Sequence, residues 1–397
     1  MAQHQASPKQ PFLPRTVIVL GLVSLLNDTA SEMITPILPL FLTATLGASP
    51  VAVGLIEGVA EATASLLKLI SGRLADRGWG HKRLVLSGYG ISNIARPLIG
   101  LALSWPWVLL LRFFDRVGKG IRTSPRDALI AGAADQHIRG RAFGFHRAMD
   151  HTGAVVGPLL AFVLLQQGVA LKNVFLLSVV PGTLLILLLW WALPGRESDP
   201  PALPTPPPLH WRGLDRHVRA MVLSAGALAF ATAPDAFLIL WASRQGVATV
   251  WVPLLWAATH AVRAVIAGAG GTLSDRVGRL PIVTTGWLGR IVLLVLLAWA
   301  PAGVGLAWLL FLTYSATTAF TEGAERAIIG DFAPADQKAT AFGLYHMLIG
   351  LLALPGALLF SALWEWVSVS SAFMVAALLT GGAVTALLWL STRGQRS

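Results

Sequence analysis

Four carboxylates lie within the first two long apolar segments of the chain: Asp28, Glu32, Glu57 and Glu61. An ionised side chain at the centre of a bilayer costs about 2.5 to 3.5 kcal/mol on insertion scales, so the four together would cost on the order of 10 kcal/mol if unpaired. Packing alone is a poor reason to keep them. We expect these residues to bind protons or to pair with cations.

Asp28 and Glu32 belong to one polar face of the first segment. Helical spacing aligns them with Gly21, Ser24 and Thr35, and Asp28 falls near the middle of the segment. A polar stripe at that depth predicts a wet cavity beside it.

Glu57 and Glu61 lie one helical turn apart on the second segment, and Lys68 follows on the same face. Two carboxylates at that spacing in a low dielectric disfavour double ionisation, so a proton or a cation must accompany them. The following two segments offer cationic partners, namely Arg96, Arg112, Arg116 and Lys119. Ion pairing and a functional role both stay open for Glu57 and Glu61.

Twelve apolar segments carry these charges. The chain of 397 residues is 55% hydrophobic and 12% charged, with a mean hydropathy of +0.68, whereas an ordinary globular domain is about 25% charged. A helix needs roughly 20 apolar residues to cross the hydrocarbon. We therefore predict an all-α membrane protein with twelve transmembrane helices. The predicted spans 1 to 12 lie near residues 16–44, 50–71, 84–104, 106–122, 140–165, 171–193, 219–242, 248–270, 281–300, 304–325, 340–363 and 369–391.

The net charge is +11, and the distribution of the basic residues along the chain indicates the membrane topology. Most Lys and Arg residues lie in the termini and the even-numbered connections, whereas the odd-numbered connections hold Lys172 and Arg244. Basic residues beside spans stay on the cytoplasmic side, so we predict that both termini are cytoplasmic and that the protein lies in the inner membrane. This distribution argues against a nucleic-acid partner. Because the chain has no cysteine, disulfides and thiolate metal sites are excluded, and we expect no metal and no cofactor.

The two halves of the chain repeat one another. GRLADR at Gly72–Arg77 returns as GTLSDR at Gly271–Arg276, and the same offset places Glu61 on His260. Between the halves, the segment from Pro194 is rich in proline, which cannot continue a helix. We predict six-helix bundles over 1–193 and 219–397, joined by a cytoplasmic linker at 194–218.

The repeated loop motif carries a family resemblance. Its glycine lets two helix ends approach closely, and its flanking bases hold the loop on the cytoplasmic face. With twelve spans and two copies in register, the chain resembles the major facilitator superfamily over nearly its whole length. In that family the loop after span 2 helps to lock the two bundles together, so the resemblance implies gating roles for the glycine, aspartate and arginine of both copies. These residues are Gly72, Asp76, Arg77, Gly271, Asp275 and Arg276.

Two further motifs extend the resemblance. In span 5, Gly153, Gly157 and Pro158 form G-x-x-x-G-P, which is similar to a motif of proton-coupled drug antiporters and is equally consistent with plain helix packing. We assign these three residues to conformational gating as well. In span 4, Arg112 resembles the family's arginine implicated in proton coupling. The stretches Leu25–Met33 and Phe114–Thr123 resemble a bacterial and archaeal subgroup whose substrate is unassigned.

Spans 1 and 4 face the central cavity in this family, so the resemblance implies that Asp28 binds the coupling proton. We assign proton coupling to four residues, Asp28, Glu32, Glu61 and Arg112. We assign the substrate cavity to Asn27, Asp28, Arg116, Asp235 and Arg290.

Other polar and aromatic residues have simpler expected roles. His146 and Asp150 share the face of Gly153 and Gly157, which predicts an interdomain hydrogen bond. Trp251, Trp256 and Trp287 could stack on a flat substrate, but tryptophans at span ends are more often interfacial anchors, and that is the role we expect of them.

The resemblance implies a secondary transporter that works by alternating access, with a site near the membrane midplane. We expect proton-coupled export of a small amphipathic molecule or drug, with H⁺, that substrate and the lipid bilayer as the implied partners and no obligate protein partner. Proton-coupled uptake of a metabolite or metal chelate is the nearest alternative, and a non-transporting membrane sensor is another. The sequence lacks the H-E-x-x-H, G-x-S-x-G and Walker motifs, which argues against an enzyme.

Overall fold

The computed structural model describes residues 13–76, 79–135, 137–192, 214–332 and 338–392. Every regular element within these ranges is helical. The α-helices are α1 Arg15–Glu32, α2 Leu38–Leu40, α3 Pro50–Asp76, α4 His81–Leu98, α5 Trp105–Ala133, α6 Arg139–Gln166, α7 Leu171–Leu177, α8 Val179–Ala192, α9 Arg216–Ala231, α10 Asp235–Arg244, α11 Val252–Val277, α12 Arg279–Trp299, α13 Val304–Phe332, α14 Lys338–Trp366 and α15 Val369–Thr392.

The fifteen α-helices in the described part of the chain form twelve segments, since three of the segments are each broken into two helices. The twelve segments lie at the predicted places. The breaks separate α1 from α2, α7 from α8 and α9 from α10. Nine segments among the described residues are long and apolar enough to cross a membrane. The remaining three, 15–45, 81–101 and 105–133, each carry three or more ionisable residues.

Helix contacts join the two halves along two seams. Within the first half α1 packs on α6 and α5 packs on both α3 and α4, while in the second half α13 packs on α11 and α12. Between the halves, α3 packs along α14 and α6 packs along α11. The predicted linker lies largely at 193–213, outside the described residues, and α9 begins at Arg216. The division into two bundles stays a prediction.

The buried apolar residues show that the halves are joined at one end of the molecule and separate at the other. One cluster draws on both halves, with Ile37 and Phe41 packed together with residues such as Phe237 and Trp364. At the same end the Val51 N–H donates to the Glu365 carboxylate at 2.8 Å. At the end that carries the first and last helix termini, each half has its own core. We call these the closed end and the split end.

The glycines of α6 let it lie directly against α1. A Cβ added at Gly153 would meet Leu25 O and Thr29 N, and one at Gly157 would lie 2.8 Å from Met33 N. This face of α6 therefore packs within the first half. Asp150 on the same face accepts a hydrogen bond from Ser24 of α1, and His146 Nδ1 lies 3.6 Å from Asp150. The predicted interdomain hydrogen bond is wrong, because the partner belongs to the same half.

The polar stripe of α1 also differs from the expectation. An added Cβ at Gly21 would meet Phe145 of α6, Ser24 donates to Asp150, and the Cβ of Asp28 lies against Gly153. The first turns of the stripe therefore face α6 rather than a wet cavity. Glu32, one turn further on, contacts the second half.

We expect Gly157→Val to destabilise the protein, because its side chain would collide with the α1 backbone. Overpacking of this kind costs about 1 to 3 kcal/mol. Gly144→Ala on the same helix is the matched control, since a Cβ there meets nothing within 4 Å. Thermal unfolding in detergent should show a lower midpoint for Gly157→Val and an unchanged or higher one for Gly144→Ala. Equal midpoints for Gly157→Val and the wild type would contradict the close approach.

Candidate functional site

A cavity of about 410 Å³ lies between the halves, closed on one side by the shared core. Its apolar wall consists of small residues such as Ala225, Ala229, Ala353 and Ala357, with Leu228 and Ile349. Its polar wall comes from both halves. The polar and charged lining residues are Glu57, Glu61, Thr232, Asp235, Arg263, Arg290, Tyr314, Thr318, Thr321, Glu322 and Glu325.

Three of the residues assigned from the sequence line this cavity: Glu61, Asp235 and Arg290. The other cavity and coupling candidates lie in hydrogen-bonded networks elsewhere in the first half or at its contact with the second half. These are Asn27, Asp28, Glu32, Arg112 and Arg116. The cavity is thus lined mainly by the second half, and the charged networks belong mainly to the first.

A buried carboxylate organises the charges of the first half. Asp115 of α5 is fully buried, and its Oδ1 accepts from Arg96 Nε at 2.9 Å. Its Oδ2 lies 3.4 Å from Arg112 and 3.8 Å from Arg116. Since one carboxylate faces three guanidinium groups, the cluster carries excess positive charge. Sequence reasoning named the bases but did not single out Asp115, although it stands one turn after Arg112.

Arg112 connects this cluster to the cavity. Its guanidinium lies 3.2 Å from Glu57, which lines the cavity, and its side chain is 2% exposed. For Glu57 the ion-pairing alternative is therefore the observed one. Glu61 is exposed to the cavity and accepts a hydrogen bond from Ser65 at 3.4 Å. Because the described ion pairs do not include Glu61, this carboxylate is available to a proton or a ligand.

Asn27 connects the cluster around Asp115 to Asp28 through two hydrogen bonds. Its side-chain oxygen accepts from Arg96 at 3.0 Å, and its amide donates to Asp28 at 2.8 Å. Asn27 is 4% exposed, so it holds the two charged groups in place. Asp28 is partly exposed and lies between this amide and the close-packed surface of α6.

Glu32 makes a polar contact between the halves. Its Oε2 accepts from the Trp256 indole N–H at 2.8 Å and lies 3.6 Å from His260 Nε2. The Trp256 and His260 rings pack edge to face, with centroids 5.3 Å apart. Trp256 is 4% exposed and belongs to the shared core, so the predicted interfacial anchor is wrong for this residue.

The prediction of an interfacial anchor is also wrong for Trp287. It is fully buried, and its indole N–H donates to Glu325 Oε1 at 2.8 Å. The Tyr345 hydroxyl donates to the other oxygen of Glu325 at 3.1 Å. Sequence reasoning did not select Glu325 as a site residue, although a carboxylate inside an apolar segment is the signal that selected Asp28.

Two arginines of the second half reach the cavity. Arg290 donates to Thr318 Oγ1 at 2.8 Å and to Thr232 Oγ1 at 3.3 Å. Arg263 lies 3.4 Å from Asp235, at the first turn of α10. The break between α9 and α10 ends in Pro234, which has no N–H to continue the helix. That break brings Thr232 and Asp235 to the cavity wall.

The second loop motif links three helices at the split end. Gly278 has φ of +102°, a backbone conformation that glycine tolerates, and it forms the turn from α11 to α12. Arg279 then pairs with Asp275 of α11 and lies 3.4 Å from Asp331 of α13. Arg276 lies in the last turn of α11, and Gly271, about two turns before Gly278, lies close to Gly323 of α13. In the first copy Gly72 faces Ser124 of α5, whereas Arg77 and the side chain of Asp76 lie outside the described residues.

Comparison with known proteins decides the family. The family model described as the Major Facilitator Superfamily matches residues 20–348. The chain belongs to the major facilitator superfamily. An uncharacterized MFS-type transporter of Methanocaldococcus jannaschii is 30% identical over 361 residues, which cover 89% of each chain. The protein is accordingly a multi-pass membrane transporter.

Two further similarities are narrower. The multidrug resistance protein MdtH of Photorhabdus laumondii is 26% identical over 190 residues, 47% of this chain and 45% of that one. A solved bacterial homolog of the human lysosomal transporter Spinster, inward-facing and occupied, superposes with a TM-score of 0.76 at 18% identity, covering 94% of this chain and 96% of that one. The second similarity concerns the superfamily fold alone.

We expect Asp115→Asn to be strongly destabilising. Removing the carboxylate leaves Arg96 buried without its counter-charge and Arg112 with Glu57 alone, and breaking a buried pair in this way costs about 3 to 5 kcal/mol. Asp127→Asn, on the same helix, is the control because the Asp127 side chain is 45% exposed. The measurement is the recovery of monodisperse protein after heating in detergent. A variant Asp115→Asn as heat-resistant as Asp127→Asn would contradict the central place of this carboxylate.

Proposed function

We propose that the protein is a proton-coupled antiporter that exports a small amphipathic compound by alternating access. The observation that carries the proposal is the contact of Glu32 with Trp256 and His260 across the two halves. This contact lies beside the shared core at the closed end, so it must break when that end opens. An ionisable group therefore stands at a contact whose integrity differs between the two states.

The chemistry of this contact favours coupling to protons. An ionised carboxylate accepts from the indole N–H and attracts a protonated imidazole, whereas a protonated carboxylate has lost that charge. Proton binding to Glu32 would weaken the contact and favour opening of the closed end. Because a ligand shifts a conformational equilibrium through its differential affinity for the two states, this is sufficient for coupling.

Asp28 is proposed as the companion proton site, one turn before Glu32 on α1. Through Asn27 it is linked to Arg96 and the cluster around Asp115. Arg112 joins the same cluster to Glu57, while Glu61 stands free of the described ion pairs at the cavity. Protonation of Asp28 or Glu32 would thereby change the electrostatic field at the cavity wall.

Export is supported by two similarities. The relative from Photorhabdus laumondii is described as a multidrug resistance protein, and the α6 motif Gly153, Gly157 and Pro158 is similar to that of drug antiporters. The cavity volume of about 410 Å³ falls within the range of small-molecule sites, roughly 300 to 1,000 Å³. Its wall of small apolar residues suits the apolar part of an amphipathic compound.

We further propose that the protein lies in the inner membrane with both termini in the cytoplasm. The split end carries both the first and the last helix termini, so it is then the cytoplasmic end. On that topology the structure is inward-facing, and its cavity is reached from the cytoplasm.

A single introduced cysteine tests this accessibility, since the natural chain has none. We expect Ala353→Cys, at the cavity wall, to react with a membrane-impermeant maleimide in inside-out vesicles and not in right-side-out vesicles. Ala372→Cys, fully buried at the closed end, is the control and should stay unlabelled in both. Labelling of Ala353→Cys from the outer side alone would overturn the topology or the conformation.

Proton coupling is tested with purified protein in liposomes that hold a pH dye, under an imposed pH gradient and with a panel of drugs and organic acids. We expect substrate-dependent proton movement in the wild type, opposite in direction to the substrate. Glu32→Gln and Asp28→Asn should lower gradient-driven transport by about tenfold or more, because each removes a proton-binding group from α1. Asp127→Asn is the control. Full gradient-driven transport by both α1 variants would sink the assignment, and co-directional flux would indicate uptake.

A further inference from the structure

The charges at the cavity are unequally matched. Glu57 pairs with Arg112, Asp235 with Arg263, and Glu322 with Arg326 at 2.5 Å. Two lining carboxylates, Glu61 and Glu325, accept hydrogen bonds and take part in none of the described ion pairs. Among the lining cations Arg290 is different from Arg263, because within the described ranges no carboxylate oxygen lies within 4 Å of its guanidinium. It is nevertheless 5% exposed and lines the cavity. A buried cation without an anion is costly, so its environment needs an explanation.

The groups that contact Arg290 fix its position without neutralising its charge. Thr318 and Thr232 accept from its two terminal nitrogens, and its carbon lies 5.6 Å from the centroid of the Tyr314 ring. Hydroxyl oxygens and an aromatic face are neutral. A guanidinium has five N–H donors, of which the described hydrogen bonds use two. The remaining donors can bind an anion that enters the cavity.

A second guanidinium has spare capacity on the same wall. Arg263 reaches Asp235 with one terminal nitrogen, at 3.4 and 3.5 Å from the two carboxylate oxygens, which are long distances for a hydrogen bond. Its Nε is buried and has no hydrogen-bond partner among the described residues. Since Asp235 largely offsets the charge of Arg263, Arg290 is the stronger candidate for binding an anion.

We propose that Arg290 binds the anionic group of the transported compound, and that the substrates are small amphipathic organic anions. The anionic group lies against Arg290, and the apolar part lies against the alanines, Leu228 and Ile349 of the opposite wall. Guanidinium and carboxylate form two parallel hydrogen bonds in a fork geometry, which gives orientation as well as affinity. Thr318 and Thr232 are positioning residues. This inference rests on the proposed function for its transport step and on the cavity alone for its binding step.

Three aromatic probes of matched shape test the binding step: naphthoate, naphthamide and naphthylmethylamine. They are anionic, neutral and cationic at neutral pH, and they are added to the full-length protein in neutral detergent. We expect naphthoate to raise the thermal unfolding midpoint in a concentration-dependent manner, and the amide and the amine to have little effect. Equal stabilisation by the amide or the amine would overturn the anion site. No effect of any aryl carboxylate in a series from benzoate to anthroate would overturn it too.

Variants of the cationic group locate the site. Arg290→Gln should weaken naphthoate affinity by about tenfold to a hundredfold, because it removes a charged hydrogen-bond donor. Arg290→Lys keeps the charge and loses the fork, so we expect a smaller loss. Arg244→Gln is the matched control and should bind like the wild type, since Arg244 is exposed and stacks on Trp364 away from the cavity. Unchanged affinity in Arg290→Gln would contradict the proposal.

A second variant keeps the test decisive if Arg290→Gln fails to fold. Thr318→Val retains the cation and removes one hydrogen bond that holds it. We expect a severalfold loss of naphthoate affinity while the response to a change of aryl ring size is preserved. A purely structural Thr318 would leave the affinity of the folded protein unchanged.

The two proposals fail in different ways. If naphthylmethylamine drives proton movement in liposomes and naphthoate does not, the antiporter proposal stands and the anion site is overturned. Naphthoate binding that depends on Arg290, without proton movement, would keep the anion site and overturn proton coupling. Phosphatidylglycerol that competes with naphthoate for Arg290 would assign the site to a lipid headgroup and overturn transport of a small anion.

Discussion

The cost of an ionised group in a low dielectric is the constraint on which the rest of the structure depends. In the first half it is met by pairing, as Asp115 sits among Arg96, Arg112 and Arg116. Because one carboxylate cannot balance three guanidinium groups, the excess positive charge draws in further acceptors. Glu57 is recruited from α3 and the oxygen of Asn27 from α1. The network thus ties three helices to α5 at the depth where hydrophobic packing alone gives no orientation.

The same constraint explains why the halves touch as they do. Apolar surface at the closed end is shared between them, so it stabilises one arrangement without regard to ionisation. Glu32 adds an ionisable contact to that apolar closure. An apolar closure supplies the stability of the state, and the carboxylate makes that stability responsive to a proton. Neither component alone gives a state that is both well defined and switchable.

The sequence predicts the helical segments well, because bilayer thickness fixes their length and their apolar composition. It also predicts the pairing of Arg112 with the acids of α3 as one of two alternatives. It fails where orientation about a helix axis decides the outcome. The α1 stripe faces α6 because Gly153 and Gly157 allow a closer approach than the stripe itself reveals. Trp256 and Trp287 are buried because each has a carboxylate to accept its N–H, and those partners are distant in sequence.

The internal repeat shows how the two halves came to differ in electrostatics. The repeat equivalents of Glu57 and Glu61 are Trp256 and His260, and the equivalent of Asp115 is Tyr314. Each of these three acids is therefore replaced by a neutral or basic residue in the second half. Tyr314 keeps the contact with a guanidinium through its ring but supplies no charge, so Arg290 lacks the counter-ion that Arg96 has. The guanidinium cluster of the first half is organised around Asp115, whereas Arg290 of the second half lines the cavity with no carboxylate paired to it among the described residues, so an anionic ligand can supply that charge.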